Sequence, residues 1–413
     1  MIKLQTLILL CVFTVCFISC DKQETGIDEP TIEEPEETDS RSFYVSPNGQ
    51  GSKSGETELN AADFLAPFFW DNVRKALLKE PVTVHFLAGD YSRAYTDRPL
   101  ILEKIGSPNH RLLIKGGDDV VFTLPEGGAT KSYVVDVRGA QNITIDGFHF
   151  TGNGSVNYVL RFTRIPGGAI PTKNITLQNS SFIDMEGVIY GASGCSYEET
   201  SHITYKNNVF KRVGVATTAH MIYNAYGASH IYIIDCHFED CMGDHVRFRD
   251  RCDFGIVKGS TFLKTLDRFT GKVFISMPQF NSRPPVGDEY FATNYAFVDN
   301  EFTNKSYVTM DNAFTFHNSG FSPPEWNYLL TRDEGQILQS GTAVEKKNLL
   351  RENFGIEPDK VRVYNNSFSS RITRQFALIT LPAYGATSRG FSGSGDISGL
   401  FNTQATPFDW EPN

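Results

Sequence analysis

Two short segments of the sequence, beginning at His220 and His245, carry polar side chains at every second position. Alternate residues of a β-strand share one face, so the second segment places Arg247, Arg249 and Arg251 together. Guanidinium groups bind carboxylates through paired hydrogen bonds, and histidine accepts or donates a proton near neutral pH. We therefore predict that this face binds an anion and supports acid–base chemistry.

The two segments are predicted to be neighbouring parallel strands in register. In that register four pairs lie side by side: His220 and His245, Ile222 and Arg247, Asn224 and Arg249, and Tyr226 and Arg251. Two outward rows follow: His220, His245 and Lys272, and Gly191, Asn224, Arg249 and Ser276, with His317 as a candidate extension of the second row. Arg247 lies between the rows. A slip of one residue would turn these rows inward, although burying three arginines in an apolar core would be very costly.

A repeat extends on both sides of these strands and ends each time in phenylalanine. The segments NITIDGFHF, NITLQNSSF, HITYKNNVF and HIYIIDCHF are typical, and the phenylalanines are Phe150, Phe182, Phe210, Phe238, Phe262, Phe302 and Phe368. Three residues earlier stand Gly147, Asn179, Asn207, Asp235, Gly259, Asp299 and Asn365. Those residue types tolerate the left-handed conformation of a sharp bend, so we expect each coil to bend there and the phenylalanines to stack.

A second short strand precedes most of these segments, for example YVVDVR, HMIYNAY and HVRFRDR. Several short strands per coil without a helical period indicate a parallel β-solenoid of about ten coils. Before the coils, PFFWDNVRKALL has Phe69, Val73 and Leu77 at helical spacing. We predict an all-β fold, a right-handed parallel β-helix, whose open N-terminal end is covered by an amphipathic helix.

The first 41 residues have the composition of an export signal and a tether. An apolar run follows Lys3 and ends at Cys20, and the sequence Phe17-Ile18-Ser19-Cys20 resembles a bacterial lipobox. We predict a lipoprotein signal peptide at 1–19, lipidation of Cys20 and anchoring at the outer membrane or cell surface. An ordinary signal peptide cut nearby is the alternative. Nine acidic residues in 21–41 predict a disordered tether over 20–41, followed by the β-helix domain at 42–413.

The net charge and the cysteine spacing exclude some classes of ligand and partner. The net charge is −10, and a weakly acidic body remains once the tether is set aside, which argues against nucleic acid as a partner. The face that carries the three arginines is therefore unusual on a weakly acidic protein. Four body cysteines, at 195, 236, 241 and 252, match no zinc spacing, and we expect buried free thiols. We expect a monomer.

The repeat resembles a known superfamily. FYVSPNGQGS near the start, the helix after it, TVHFLAGDYS and the NIT-type coils resemble right-handed parallel β-helix proteins. That superfamily includes pectate lyases, chondroitinase B-like and alginate lyases, and polygalacturonases, and the resemblance covers residues 43 to about 385. The motifs are specific for fold and weak for activity, because one fold hosts many functions.

The resemblance and the basic rows together predict a polysaccharide lyase that cleaves an anionic, uronate-containing glycan by β-elimination. Such an enzyme must neutralise the carboxylate, remove the C5 proton and protonate the leaving O4. We predict that Arg249 and Asn224 hold the carboxylate and that His245 is the base, with His220 or Lys272 as its partner. Three further residues are predicted to bind substrate: Arg247, Tyr226 and Trp326.

Several alternatives remain open. Arg247, Arg249 and Arg251 could pair with Asp244, Asp250, Asp253 or Glu239 as a solvated ladder, the interpretation favoured for Arg251. Related lyases often use calcium, but the sequence offers no dense acidic cluster, so we predict no cofactor and leave calcium open. A glycoside hydrolase would need two carboxylates across a groove, and a non-catalytic glycan binder would use loop aromatics. Long loops near 278–292 and 318–359 carry such aromatics, namely Phe280, Trp326 and Tyr328.

Overall fold

Each repeat of the sequence forms one coil of three strands in the computed structural model, which describes residues 40–167, 170–279, 291–318, 330–380 and 391–412. The first strands are β1 Arg41–Ser46, β2 Ala62–Asp63, β3 Val82–Phe86, β4 Gly89–Asp90, β5 Leu100–Glu103, β6 Leu112–Lys115, β7 Val120–Thr123, β8 Lys131–Arg138, β9 Gln141–Asp146 and β10 His149–Thr151. The middle strands are β11 Val156–Thr163, β12 Thr172–Gln178, β13 Ser181–Met185, β14 Val188–Ser196, β15 Thr200–Lys206, β16 Val209–Val213, β17 His220–Asn224, β18 Ser229–Ile234, β19 His237–Cys241 and β20 Val246–Phe248. The last strands are β21 Gly255–Lys258, β22 Thr261–Lys264, β23 Val273–Gln279, β24 Tyr295–Val298, β25 Glu301–Asn304, β26 Met310–Asn318, β27 Val361–Tyr364, β28 Ser367–Phe368, β29 Ile372–Thr380 and β30 Gly393–Asp396.

Every third strand joins the same sheet, which is the pattern of a β-helix. In the described residues, sheet A has 11 strands in the order β2-β1-β3-β6-β9-β12-β15-β18-β21-β24-β27. Sheet B has nine, β4-β7-β10-β13-β16-β19-β22-β25-β28, and sheet C has ten, β5-β8-β11-β14-β17-β20-β23-β26-β29-β30. All pairings between these described strands are parallel except β29 with β30. The predicted right-handed parallel β-helix is confirmed, and its hand is the one that parallel crossovers adopt.

The phenylalanine stack is confirmed and lies in sheet B. The rings of Phe182 and Phe210 are 4.7 Å apart and 4° from parallel, and those of Phe238 and Phe262 are 4.7 Å apart. The stack extends one coil further than predicted, since Phe122 lies 4.9 Å from Phe150. The seven predicted bend residues all have a positive φ, between 50° and 71°. The stack fixes the register of successive coils.

A second, polar column lies beside these bends, inside the solenoid. Asn208 accepts a hydrogen bond from the backbone N–H of Ser180 (2.9 Å) and donates one to the carbonyl of Leu177 (2.8 Å). Asn300 occupies the equivalent place three coils later, where it accepts from the N–H of Ser260 at 3.0 Å. These side chains bond the backbone groups that a bend would otherwise leave unpaired.

Four helices accompany the strands in the described residues: α1 Pro67–Leu77, α2 Arg93–Thr96, α3 Arg332–Ser340 and α4 Ala343–Phe354. The predicted cap is α1, which buries Phe69, Val73 and Leu77, and Phe69 packs edge-on against Phe43 of β1. Helices α3 and α4 fill part of the predicted 318–359 loop, and each begins with a capping box. None of the helices in the described ranges has the length and apolarity needed to cross a membrane.

The remaining structural predictions divide into two groups. All four body cysteines are buried free thiols, as predicted. The signal peptide, Cys20 and almost all of the acidic tether lie outside the described residues, as do Phe280, Trp326 and Tyr328. Lipid anchoring and the role of those loop aromatics therefore stay predictions.

Candidate functional site

The register of the two polar strands differs from the prediction by one residue. Ile222 of β17 pairs with Val246 of β20, Tyr223 pairs with Arg247, and Asn224 pairs with Phe248. The predicted register, with Ile222 beside Arg247, is wrong. The coil at this point is 24 residues long, the same interval that separates Phe238 from Phe262, whereas pairing His220 with His245 assumed 25.

The corrected register turns two predicted site residues inward. The His245 side chain is only 1% exposed, and its ring lies 4.9 Å from that of Phe274, with Nε2 3.4 Å from the Leu263 carbonyl oxygen. Burial lowers the pKa of His245 to about 3. Asn224 is fully buried and accepts a hydrogen bond from the Cys195 thiol. The predictions that His245 and Asn224 face the substrate are wrong, because neither side chain reaches the surface.

His220 is also buried, but it contacts the site from beneath. Its Nδ1 accepts a hydrogen bond from the backbone N–H of Asp244 at 3.1 Å, and its ring centroid lies 5.1 Å from that of Tyr223. Burial, together with the charge of Arg247, lowers the pKa of His220 to about 3. The predicted outward row of His220 and His245 is therefore wrong. His220 is a neutral ring that positions Asp244 and supports Tyr223.

The residues that do face outward from sheet C form one continuous line, here named the outer row. From the N-terminal edge it comprises Ile101, Asp136, Arg161, Gly194, Tyr223, Arg247 and Ser276. Tyr158, two strands before Tyr223 in the sheet, lies parallel to Tyr223, with ring centroids 6.1 Å apart and planes within 3°. The two rings meet across β14 because that strand carries Gly191, where a Cβ would lie 3.1 Å from the Tyr158 ring.

Tyr223 is held by a guanidinium group. Arg249 Nη1 donates to the Tyr223 phenol oxygen at 2.7 Å, while Arg249 Nε donates to Asp250 at 2.5 Å. The same guanidinium lies 5.1 Å from the ring of Tyr226. Burial raises the pKa of Tyr223, and the charges of Arg249 and Arg247 oppose that shift without cancelling it. The phenol is thus neutral at pH 7, with a positive group placed to stabilise its anion.

Arg247 and Asp244 form the second part of the site. Arg247 Nη2 and Nε donate to Asp244 Oδ2 at 2.6 and 2.9 Å, and the Ser276 hydroxyl donates to the same oxygen. Burial raises the pKa of Asp244, but the charge of Arg247, helped by the hydrogen bond from Ser276, outweighs it and brings the pKa to about 2. Asp244 is therefore ionised at neutral pH, and it fixes the orientation of Arg247.

Aromatic rings and a further guanidinium extend the site toward the N-terminus. Arg161 lies 4.8 Å from the ring centroid of Tyr133 and 5.9 Å from that of Tyr158. It also donates to Asp136, which is fully buried. Tyr190, which is 43% exposed, lies 6.2 Å from Tyr158. Flat aromatic faces and guanidinium groups of this kind are suited to sugar rings that carry acidic groups.

Of the other predicted site residues, Tyr226 borders this cluster through Arg249, and the rest lie apart from it or await a test. Lys272 is exposed and directly precedes β23, and its catalytic role stays a prediction. Tyr226 stacks on Tyr197 with centroids 5.5 Å apart. The ion-pair alternative is present in part, since Arg247 pairs with Asp244 and Arg249 with Asp250. Arg251 forms a solvated ion pair with Glu198 at 2.7 Å, an acid that was not among those predicted. Among the described residues, no three His, Cys, Asp or Glu side chains are grouped to hold a metal ion, and the cofactor prediction stays open.

The sequence interpretation missed Tyr223, Tyr158 and the positioning role of Asp244. Tyr223 could have been found, because adding the 24-residue coil length to its position gives Arg247. Tyr158 could not, because its contact with Tyr223 spans a whole intervening strand and depends on the missing side chain of Gly191.

The comparisons with known proteins give similarities of fold only. No protein-family model matches the sequence, and no curated protein matches it either. The structure is similar to an alginate lyase from Paenibacillus sp. str. FPU-7, with TM-score 0.43 and 12% identity over 68% of this chain and 94% of that one. It is also similar to pectate lyase Pel9A, with TM-score 0.45 and 14% identity over 86% of this chain and 78% of that one. A third similar structure is the A-module of the mannuronan C-5 epimerase AlgE4 from Azotobacter vinelandii, with TM-score 0.30 and 10% identity over 77% of this chain and 93% of that one.

Proposed function

We propose that this protein is a polysaccharide lyase that cleaves an anionic, uronate-containing glycan by β-elimination on the outer face of sheet C. The observation that carries the proposal is the Tyr223 phenol, which accepts a 2.7 Å hydrogen bond from Arg249 and pairs in register with Arg247. A proton-transfer group thus lies between two guanidinium groups that match a carboxylate in shape and charge.

The reaction can be written with these groups alone. Arg247 and Arg249 bind the uronate carboxylate, which draws charge from C5 and makes its hydrogen more acidic. The Tyr223 phenol first loses its proton to solvent, and the phenolate, stabilised by Arg249, then takes the C5 proton. The electron pair forms the C4=C5 double bond and the C4–O4 bond breaks. The leaving oxygen takes the proton back from Tyr223, so no water is consumed. Tyr223 thereby fills the role that the sequence had suggested for His245.

The electrostatics favour a lyase over a glycoside hydrolase at this site. A hydrolase needs a carboxylic acid that is protonated at the working pH and can donate to the glycosidic oxygen. Asp244 does not meet this requirement, because its pKa is about 2. Two other acids are bonded to arginines of the site. Asp250 is only 3% exposed and bonded to Arg249. Asp136, whose pKa burial raises, is fully buried, bonded to Arg161 and three strands from Tyr223. A non-catalytic glycan binder would use the tyrosine faces but would not need a phenol bonded to a guanidinium.

One assay separates these three classes. The protein is incubated with pectins, alginates and glycosaminoglycans, while the ultraviolet absorbance of the unsaturated uronate and the number of reducing ends are both followed. We expect both signals to rise on one of these polymers. Reducing ends without absorbance would identify a hydrolase and contradict the proposal. A bound polymer with neither signal would identify a binding protein.

A further inference from the structure

A cavity of about 600 Å³ opens at the N-terminal edge of sheet C, between α1 and β5. This volume is in the range of sites that bind small molecules or single sugar units. Trp70 and Arg74 of α1 line one wall, and Ile101 and Arg138 of sheet C line the other. The cavity lies outside the site around Tyr223, and no step of the proposed reaction uses it.

The charge of the cavity is positive although the chain as a whole is acidic. Two of its basic groups are neutralised, since Arg74 pairs with Asp71 at 2.6 Å and Arg138 pairs with Glu103 at 2.7 Å. A third, Arg98, is fixed by a bond from Nη2 to the Leu65 carbonyl (2.5 Å) and makes no ion pair with a described carboxylate.

Lys104 adds to this surplus. Its Nζ lies 4.0 Å from Glu103, a carboxylate that Arg138 already binds, and its side chain is 58% exposed. Arg98 and Lys104 thus give the cavity two positive charges without a carboxylate of their own, on a chain of net charge −10. A cavity with these groups is suited to an anionic ligand.

The cavity and Tyr223 lie on one line. Ile101, in the cavity wall, pairs with Asp136, and Asp136 pairs with Arg161, so all three belong to the outer row. Tyr223 is four strands from β5 in sheet C, which corresponds to about 19 Å at the usual spacing of neighbouring strands. Arg161, with the Tyr133 and Tyr158 rings beside it, occupies the interval.

We propose that this cavity is a distal subsite that binds a uronate carboxylate of the same glycan, with the polymer running along the solenoid axis from Tyr223 to α1. The inference deepens the proposed function and depends on it. One sugar unit advances by a length comparable with the spacing of neighbouring coils. An oligomer bound at Tyr223 therefore reaches the cavity only when it extends over about four further units.

The experiment compares a double variant, Arg98→Gln with Lys104→Gln, and a matched control that removes two exposed lysines of sheet A, Lys206→Gln with Lys258→Gln. Both proteins are assayed on purified oligouronates of about three and about eight units, taken from whichever polymer the wild-type protein cleaves. We expect the KM for the long oligomer to rise about tenfold or more in the cavity variant, with kcat unchanged. The short oligomer and the control protein should show wild-type values.

Each other outcome overturns the subsite. An unchanged KM for the long oligomer contradicts it, and so does an equal loss on both oligomers. Lys104→Gln alone repeats the test if the double variant melts early, because Arg98 also holds the Leu65 carbonyl. If no oligomer is cleaved by the wild-type protein, the proposed function has failed. Calorimetric titration with long oligogalacturonate and oligomannuronate then tests uronate binding by the cavity separately. Equal affinities of the wild-type protein and the variant would overturn the proposed subsite.

Discussion

Tyr223 illustrates how a single side chain acquires a chemical role from its neighbours. Burial alone would keep its phenol protonated and inert, and burial does raise its pKa. Arg249 donates to the phenol oxygen, Arg247 lies on the adjacent strand, and Tyr158 covers the ring. These contacts fix the direction of the oxygen and stabilise its anion, which a tyrosine in open solvent would lack.

Replacing Tyr223 by phenylalanine should remove activity without unfolding the protein. The change deletes one oxygen and keeps the ring that stacks on Tyr158. We expect kcat to fall by about a thousandfold, as for loss of a general acid–base group, and the melting temperature to stay nearly constant. Tyr190→Phe is the matched control, because Tyr190 is exposed and contacts the same Tyr158 ring. Full activity of Tyr223→Phe on a confirmed substrate would place the proton transfer elsewhere.

The types of the site residues were readable from the sequence, but their directions were not. Arg247 and Arg249 were expected on one face, and they lie there because a strand alternates its side chains. His245 and Asn224 were assigned to the same face, and a register error of one residue misplaced both side chains. Only the coil length, fixed by the phenylalanine stack, distinguishes the two registers.

At the level of the elements, each coil is held by two kinds of column with different sequence signals. The phenylalanine column was predicted, because one residue type recurs after a bend residue. The polar column was not predicted, since its members change from Ser180 to Asn208 to Cys236 in successive coils. Each of these residues places a buried polar atom where it bonds the neighbouring coil. Several residue types can supply such an atom, so the column leaves no repeated residue in the sequence.

Asn208→Ala tests the polar column. It leaves the Ser180 N–H and the Leu177 carbonyl without partners inside the solenoid, so we expect the free energy of unfolding to fall by about 3 kcal/mol. The adjacent Asn207→Gly is the control, because Asn207 is exposed and glycine readily adopts its φ of 53°. The control should change stability by less than about 0.5 kcal/mol in urea unfolding. Equal losses in both variants would show that the buried amide contributes nothing beyond the bend.

On the scale of the whole molecule, two buried histidines make folding sensitive to acid. The pKa values of His220 and His245 are each about 3 in the folded protein, below the ordinary value of 6.5. Between about pH 3 and pH 6.5 the two histidines are therefore protonated in the unfolded chain and neutral in the folded one. Their contribution to stability is complete above about pH 6.5 and is lost as the pH falls below it.

His245→Gln should make the protein less sensitive to acid. Each histidine contributes a loss of up to about 1.4 kcal/mol per pH unit between about pH 6 and pH 4, so the variant should lose that much less per unit than wild type. Urea unfolding at several pH values measures the slope. His237→Gln, which replaces a histidine whose side chain is 38% exposed, is the matched control for the substitution. The same slope in all three proteins would mean that the His245 ring is not the buried neutral group seen here.

The N-terminal coil of the solenoid needs a cover, because a terminal coil otherwise exposes apolar side chains and unpaired strand edges. Helix α1 covers Phe43 of β1 with Phe69, which is fully buried, while the adjacent Phe68 is 55% exposed. Phe69→Asp would place a charge against that core, so we expect the cap to detach, the melting temperature to fall and the protein to self-associate in light scattering. Phe68→Asp makes the same substitution one position away and should behave as wild type. A Phe69→Asp protein that neither melts earlier nor associates would show that the first coil is stable without its helix.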